Sequence, residues 1–340
     1  MDRVTSAMID LAEAAYDLDI EESHWLPRVM EAGLRALDHG LGVAGGIYMR
    51  PPDGSNVTLH RLHVASGPED FAERHSAALA TTPPDLLREQ VRPGGAGTAS
   101  MDSKGNPAQL AHYTSHVDYC KDLLYMTAVD CKGSGVAIVA PLAEATSLTG
   151  HDAQRWRMLA AHVDAGHRLR CGLAAKERGD EPCTDLPHNA EALLDPMRFE
   201  IKEAVGAAKE SDATRALRDA AVVVDRARGR MRKSNPDVAL QIWHSLVRGR
   251  WSMVDWFDSD GRRFVLALPN PPRVSDPRGL SARESQVVTY AARGESGKLI
   301  GCRLGLSTPR VSSLLHDAMR KLRVHTQAEL VEKMRSLGSV

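Results

Sequence analysis

The side chains of this chain that could do chemistry form a few short constellations. His112 and His116 are four residues apart, with Cys120 four further on, so on a helix they line one face and could hold a metal ion. The stretch from Tyr113 to Asp118 reads equally as a solvent-exposed loop, and fourteen histidines make such a pair common by chance. His60 and His63 lie on opposite sides of an extended run and do not chelate together. Cys120 and Cys131 invite a redox reading, but buried cysteine is more often a small apolar residue. The five cysteines form no CxxC pair, so neither a paired-cysteine zinc site nor a disulfide framework is expected. Gly294 to Lys298 resembles the end of a phosphate loop but lacks the earlier Gly, the following Ser or Thr and a preceding strand. With no GxSxG, HExxH or protein-kinase set, the expectation is a protein that is not an enzyme and uses no cofactor or metal.

What remains is charge. Of 43 basic and 44 acidic residues, eleven Lys and Arg but only six Asp and Glu fall from Asp276 to Val340, a net of +5, leaving −6 on the first 275 residues. A basic end on an acidic body points to a polyanion as partner. A second run, Arg226, Arg228, Arg230, Arg232 and Lys233, reads either as another nucleic-acid patch or as a solvated helix face beside Asp219 and Asp225. Acids at Asp2, Asp10, Glu13, Asp17 and Asp19 exclude a secretory leader, and no apolar stretch is long enough to span a membrane, so a cytoplasmic protein is expected.

The elements that must position the basic end are well punctuated. Ser281 and Glu284 form a capping box ahead of Val287, Val288, Ala291 and Ala292, and Gly294 stops that helix. Ser296 caps a short helix with Leu299, Ile300 and Leu304 facing inward, and Gly305 permits a sharp turn. Ser307 caps a third helix with an apolar face of Val311, Leu314, Leu315, Ala318, Met319 and Leu322, and Thr326 with Glu329 opens a fourth. A short helix, a Gly turn and a longer helix form a helix-turn-helix pattern.

Over some sixty residues, through Leu280, Arg283, Glu284, Val287, Gly294, Ser296, Lys298, Ile300, Leu304, Gly305, Leu306, Ser307, Val311, Arg320, Lys321, Leu322 and Val324, the chain closely resembles the LuxR-type (GerE) DNA-binding domain. The resemblance implies a four-helix bundle whose third helix, from Thr308, enters the major groove of double-stranded DNA, while the fourth contributes to dimerisation. It implies base contacts at Ser312, Ser313 and His316, with Lys298, Thr308, Arg310, Arg320, Lys321 and Arg323 available to phosphates. The sequence departs from the family at Gly297, Leu299 and Gly301, and has Leu314 and short serines where His and Lys are frequent. Readout is therefore expected to lean on His316, apolar contact and DNA shape.

Upstream, two helices, from Thr5 to Tyr16 and from His24 to Leu37, precede extended runs Gly42 to Met49 and Asn56 to Val64, joined by a turn at Pro51 to Gly54. A Pro- and Gly-rich middle is followed by Leu123 to Val129, a turn at Lys132 to Gly135, Val136 to Leu142, and a helix from Asp152 to Leu169. This order is similar to a GAF-type sensory domain. After a linker from Ala174 to His188 come Leu193 to Asp195, a helix through Leu217 to Met231, another from Asn235 to about Val247, and a hairpin of Arg250 to Phe257 and Arg262 to Leu268. Trp251, Met253 and Phe257, like Phe264, Leu266 and Leu268, alternate as if one face is buried. This unit resembles a trimmed PAS-type domain.

The expected fold is multidomain. A GAF-like α+β sensory domain over 1–175 and a PAS-like connector over 186–270, each an antiparallel sheet with flanking helices, precede an all-α four-helix LuxR-type helix-turn-helix domain over 276–338. The expected function is a transcription regulator that binds palindromic operator DNA as a homodimer, modulated by a small-molecule or protein effector at the N-terminal domain, away from membranes. A ligand- or protein-binding signalling hub, its C-terminal helices docking a protein partner, is the alternative. A phospho-receiver domain and an acyl-homoserine-lactone pocket are disfavoured, because the acids near Asp17 to Glu22 lie on or between helices and the pocket's aromatic and aspartate spacing is not found.

Overall fold

The computed structural model describes residues 3–49, 57–84, 86, 95–101, 107–129, 134–177, 184–243, 246–247, 250–270, 280–292, 294–304 and 306–336. The chain divides into two compact units, Met1–Gly172 and Leu173–Val340.

The first unit runs α1 (Arg3–Ala15), α2 (Glu22–Leu37), β1 (Val43–Met49), β2 (Thr58–Ser66), α3 (Phe71–Thr81), β3 (Gly95–Thr98), α4 (Pro107–His116), β4 (Asp122–Val129), β5 (Ser134–Leu142) and α5 (Gly150–Glu177). Its strands form one antiparallel sheet in the order β2-β1-β5-β4-β3. Apolar residues of β1, β4 and β5, among them Val43, Leu124, Met126, Val136 and Ile138, are buried, as are Ile9, Leu11, Trp25, Leu26 and Met30 on α1 and α2. Polar ties join these helices: the Trp25 indole of α2 donates to the Ala15 carbonyl of α1 at 3.1 Å, and the Tyr16 hydroxyl just past α1 meets His162 Nδ1 of α5 at 3.0 Å. Neither α3 nor β3 was legible in the Pro- and Gly-rich middle. The expected turns at Pro51 to Gly54 and around Lys132 lie outside the described residues, as does Cys131. Helix α5 continues to Glu177, past the expected linker start at Ala174. The reason is compositional: Ala174, Ala175, Lys176 and Glu177 are strong helix formers, and the first Gly follows them at Gly179.

The second unit opens with β6 (Ala192–Asp195), β7 (Glu200–Ala204), α6 (Ser211–Arg226), a π-helical segment Ala227–Met231, α7 (Pro236–Ile242), β8 (Leu246–Val247), β9 (Trp251–Phe257) and β10 (Arg263–Pro269). These strands pair antiparallel in the order β7-β6-β10-β9-β8, the strand order of the first unit repeated without a visible sequence repeat. One face of β9 and β10, with Trp251, Met253, Val265 and Ala267, packs against Leu217, Ala220, Ala221 and Val224 of α6.

Two expectations need correction here. Ser252, Val254, Leu266 and Leu268 are also buried while Phe257 is 55% exposed, so the hairpin is covered on both faces rather than alternating. The second helix stops at Ile242, and Leu246 and Val247 instead pair with Ser252 and Trp251 at the sheet edge. A β-branched and apolar pair there gains a ladder and a buried side chain, which outweighs one more helical turn.

The arginine run splits in two. Arg228 is drawn into the unit, its side chain 7% exposed, paired with Asp255 at 2.6 Å and stacked on Trp243. Arg232 also stacks on Trp243, whereas Arg226, Arg230 and Lys233 are exposed.

Candidate nucleic-acid interface

The end of the second unit comprises four helices, α8 (Ala282–Ala292), α9 (Gly297–Leu304), α10 (Thr308–Leu322) and α11 (Gln327–Ser336). Each boundary has a local cause. The Ser281 hydroxyl accepts from the Glu284 amide at 3.2 Å while Glu284 accepts from the Ser281 amide at 2.6 Å, a reciprocal capping box at the head of α8. Gly294, at φ +83°, ends that helix where an L side chain would be strained. Ser296 caps α9, Ser307 caps α10 with Pro309 in its first turn, and Thr326 caps α11. Between α9 and α10 the backbone passes so close that a Cβ on Gly301 would stand 2.6 Å from the Leu306 carbonyl oxygen. That close approach is the physical reason for Gly at this departure from the family pattern. Gly305, expected to make the turn, lies outside the described residues.

Helix α10 carries the candidate reading surface. Val311, Leu314, Ala318 and Leu322 are buried, with Val287, Val288 and Ala291 of α8, Ile300 of α9, and Leu330 and Met334 of α11 also in the interior. The opposite side of α10 presents Ser312, Ser313, His316 and Arg320, all exposed and recurring with the helical period. Thr308 and Arg310 are exposed in its first turn and Lys298 at the head of α9. Arg323, exposed just past α10, adopts a left-handed conformation at φ +56° and closes the helix through its own amide. A side chain other than Gly in that conformation costs about 1 kcal/mol.

Two of the six expected phosphate ligands carry internal attachments. The Lys321 ammonium donates to Glu284 Oε2 at 2.7 Å, and Glu284 is only 7% exposed. Burial alone would raise the Glu284 carboxyl, but the donors from Lys321 and Ser281 outweigh it and hold the group below the ordinary carboxylate range. Lys321 thus ties α10 to α8, and reaching a phosphate would require leaving that bond. Arg320 pairs with Asp317 at 3.2 Å while remaining exposed. Asp317 was not singled out from the sequence, although an acid three residues before an arginine on a helix is a legible pair. Leu299, expected to face inward, is 45% exposed, whereas Ile300 is buried.

The other constellations resolve into packing. His112 and His116 do lie on a helix, α4, with ring centroids 4.9 Å apart, His112 Nε2 3.0 Å from the Ala78 carbonyl and His116 Nε2 3.0 Å from the Thr81 hydroxyl. Cys120 lies beyond the helix, buried, its thiol donating to the Asp122 carbonyl at 3.0 Å and pushed up by burial to about 11. Among the described residues no three His, Cys, Asp or Glu side chains converge to hold a metal ion, and no helix is long and apolar enough to cross a membrane.

Comparison with known proteins bears on this bundle. Residues 278–334 match the family described as bacterial regulatory proteins, luxR family. No curated protein sequence matches the chain. A crystal structure of Escherichia coli SdiA aligns over 94% of this chain and 92% of that one at 8% identity, with a TM-score of 0.30, too low to indicate a shared overall fold. The bundle is a helix-turn-helix domain of the luxR family, a domain type of DNA-binding transcription regulators.

Proposed function

Starting from that luxR-family domain, we propose that the chain is a transcription regulator whose α10 reads the major groove of double-stranded DNA through Ser312, Ser313 and His316. The observation that carries the reading is the two-sidedness of α10: four polar side chains exposed along one side, and Val311, Leu314, Ala318 and Leu322 buried along the other. A helix fits the major groove, where base edges are distinguishable, and short serines bring the backbone close to them. Thr308, Arg310, Arg320, Arg323 and Lys298 surround that surface and would hold the sugar-phosphate rails.

In this reading two copies bind a palindromic operator, because one bundle covers few base pairs and two modules about one helical turn apart double the contacts. The bundle spans 276–338, and the two sheets belong to a GAF-like domain over 1–175 and a PAS-like connector over 186–270. The shared strand order, β2-β1-β5-β4-β3 and β7-β6-β10-β9-β8, supports treating them as two sensory modules of one kind. An effector, small molecule or protein, would act through them on half-site geometry. The protein acts where the DNA is, in the cytoplasm, with no catalytic role. Selection of duplexes by the full chain, followed by binding of Arg310→Ala and His316→Ala, tests this. Arg310→Ala should weaken binding to every sequence, and His316→Ala should change the preference between sequences. Equal binding by all three proteins to all duplexes would refute it.

A further inference from the structure

Beyond the helix-turn-helix, we infer that α6 and the segment following it carry a second, sequence-independent DNA-backbone site formed by Arg215, Arg218, Arg226, Arg230 and Lys233. The inference rests on the DNA-binding reading above. Arg215, Arg218 and Arg226 step by three and eight residues, which keeps them on one side of α6, and Arg230 and Lys233 follow on the π-helical segment and the helical turn after it. All five are exposed. The opposite side of α6 is the buried one, with Ala213, Leu217, Ala220, Ala221 and Val224 against the second sheet. From Arg215 to Arg226 alone the stripe is about 16 Å long at 1.5 Å per residue.

The stripe's cations differ from those beside them. Arg228, between them in sequence, is spent internally on Asp255 and on the carbonyls of Trp243 and Met253. Arg232 stacks on Trp243, and Asp225 is spent on Arg263. Among the described residues, none forms an ion pair or side-chain hydrogen bond with the five stripe side chains. The exposed acids Asp212 and Asp219 lie on α6 as well, leaving the stripe cationic in excess.

DNA is the occupant the charge pattern fits. A row of point charges without interleaved aromatic or apolar side chains suits the regular phosphates of a duplex, which need no pocket. The second unit carries both the stripe and α10. Because one chain carries both, a stripe that reaches the flank of a duplex held by α10 acts at an effective concentration on the order of millimolar, where weak interactions add to the total.

The test uses the full chain and a fluorescent mixed-sequence duplex, with affinity measured across a salt series. In Arg218→Gln/Arg226→Gln/Arg230→Gln, the slope of log K against log salt should become shallower by about 0.9 for each phosphate that is no longer neutralised. Binding at about 0.15 M salt should weaken roughly fivefold for each such phosphate. The Arg→Lys version of the same three positions should keep the wild-type slope, as should Arg28→Gln/Arg35→Gln, which removes exposed charge from the first unit. An unchanged slope in the triple Gln variant overturns the second site and leaves the role of α10 standing. A shallower slope in Arg28→Gln/Arg35→Gln of the same size also overturns it, because overall charge would then be the cause. Loss of binding to phosphatidylserine vesicles without a change in the duplex slope would assign the stripe to lipid and overturn it. Failure of the wild-type chain to bind any duplex refutes the proposed function itself.

Discussion

Replacing Lys321 with Met separates two roles that one cation could play. The ammonium donates at 2.7 Å to Glu284, whose carboxylate is nearly buried and also accepts the Ser281 amide at 2.6 Å. Removing Lys321 leaves that carboxylate with its cap donors but without its cation. A hydrogen bond to a charged group contributes about 1.5–3 kcal/mol. Lys321 itself is 37% exposed, so solvent screening reduces the figure, and about 1–2 kcal/mol of bundle stability should be lost. The bundle contains no tryptophan, so the assay is hydrogen exchange of the α8 and α10 amides in the full chain. A double-mutant cycle with Glu284→Gln should give a coupling of about 1 kcal/mol. Because the folded carboxyl is depressed, its contribution is present above the unfolded value and is lost as pH falls through the folded one; Glu284→Gln should flatten that acid limb. The salt slope of duplex binding should stay at the wild-type value in Lys321→Met and become shallower in Arg310→Ala. A Lys321→Met protein with unaltered exchange and a shallower salt slope would refute this reasoning and return Lys321 to the phosphates.

Further outcomes follow from individual side chains. Arg323→Gly should stabilise the α10 terminus by about 1 kcal/mol, since only Gly accepts φ +56° freely, while making the duplex salt slope shallower; exchange and salt titration read the two effects separately. Gly301→Ala should destabilise the bundle by about 1–3 kcal/mol through the 2.6 Å clash with Leu306 O, seen as faster exchange in α9 and α10. Arg228→Met leaves Asp255 without one of its two arginines in a partly buried setting and should cost about 3 kcal/mol, read by unfolding followed through tryptophan emission. Burial lowers His75 to about 4, so the folded state gives up stability as pH falls from about 6.5 towards 4, and His75→Gln should lose less over that window by circular dichroism.

How much was legible in the sequence depended on whether the signal was local. The bundle's caps at Ser281, Ser296, Ser307 and Thr326 and the stop at Gly294 are short-range chemistry, and the helices begin and end beside them. The place of the β9–β10 hairpin was equally plain, because Ser259, Asp260 and Gly261 are turn residues between its two apolar runs, and Gly261 does take a positive φ of 73° there. Tertiary facts were not visible. Nothing near Lys321 announces that its partner is Glu284, and nothing in the arginine run separates the inward Arg228 from the outward Arg226 and Arg230. That separation depends on a π-helical segment with a non-helical Gly229, which shifts the helical phase midway through the run. The burial of both hairpin faces likewise depends on elements remote in sequence.

The central claim is that α10 lies in the major groove. Dimethyl sulfate protection on a duplex selected by the full chain tests it directly, because guanine N7 lies in the major groove and adenine N3 in the minor. Protection of guanine N7 in two half-sites about one helical turn apart, abolished when Ser313 and His316 are replaced, is the predicted result. Protection confined to adenine N3, or unchanged by those replacements, would contradict it.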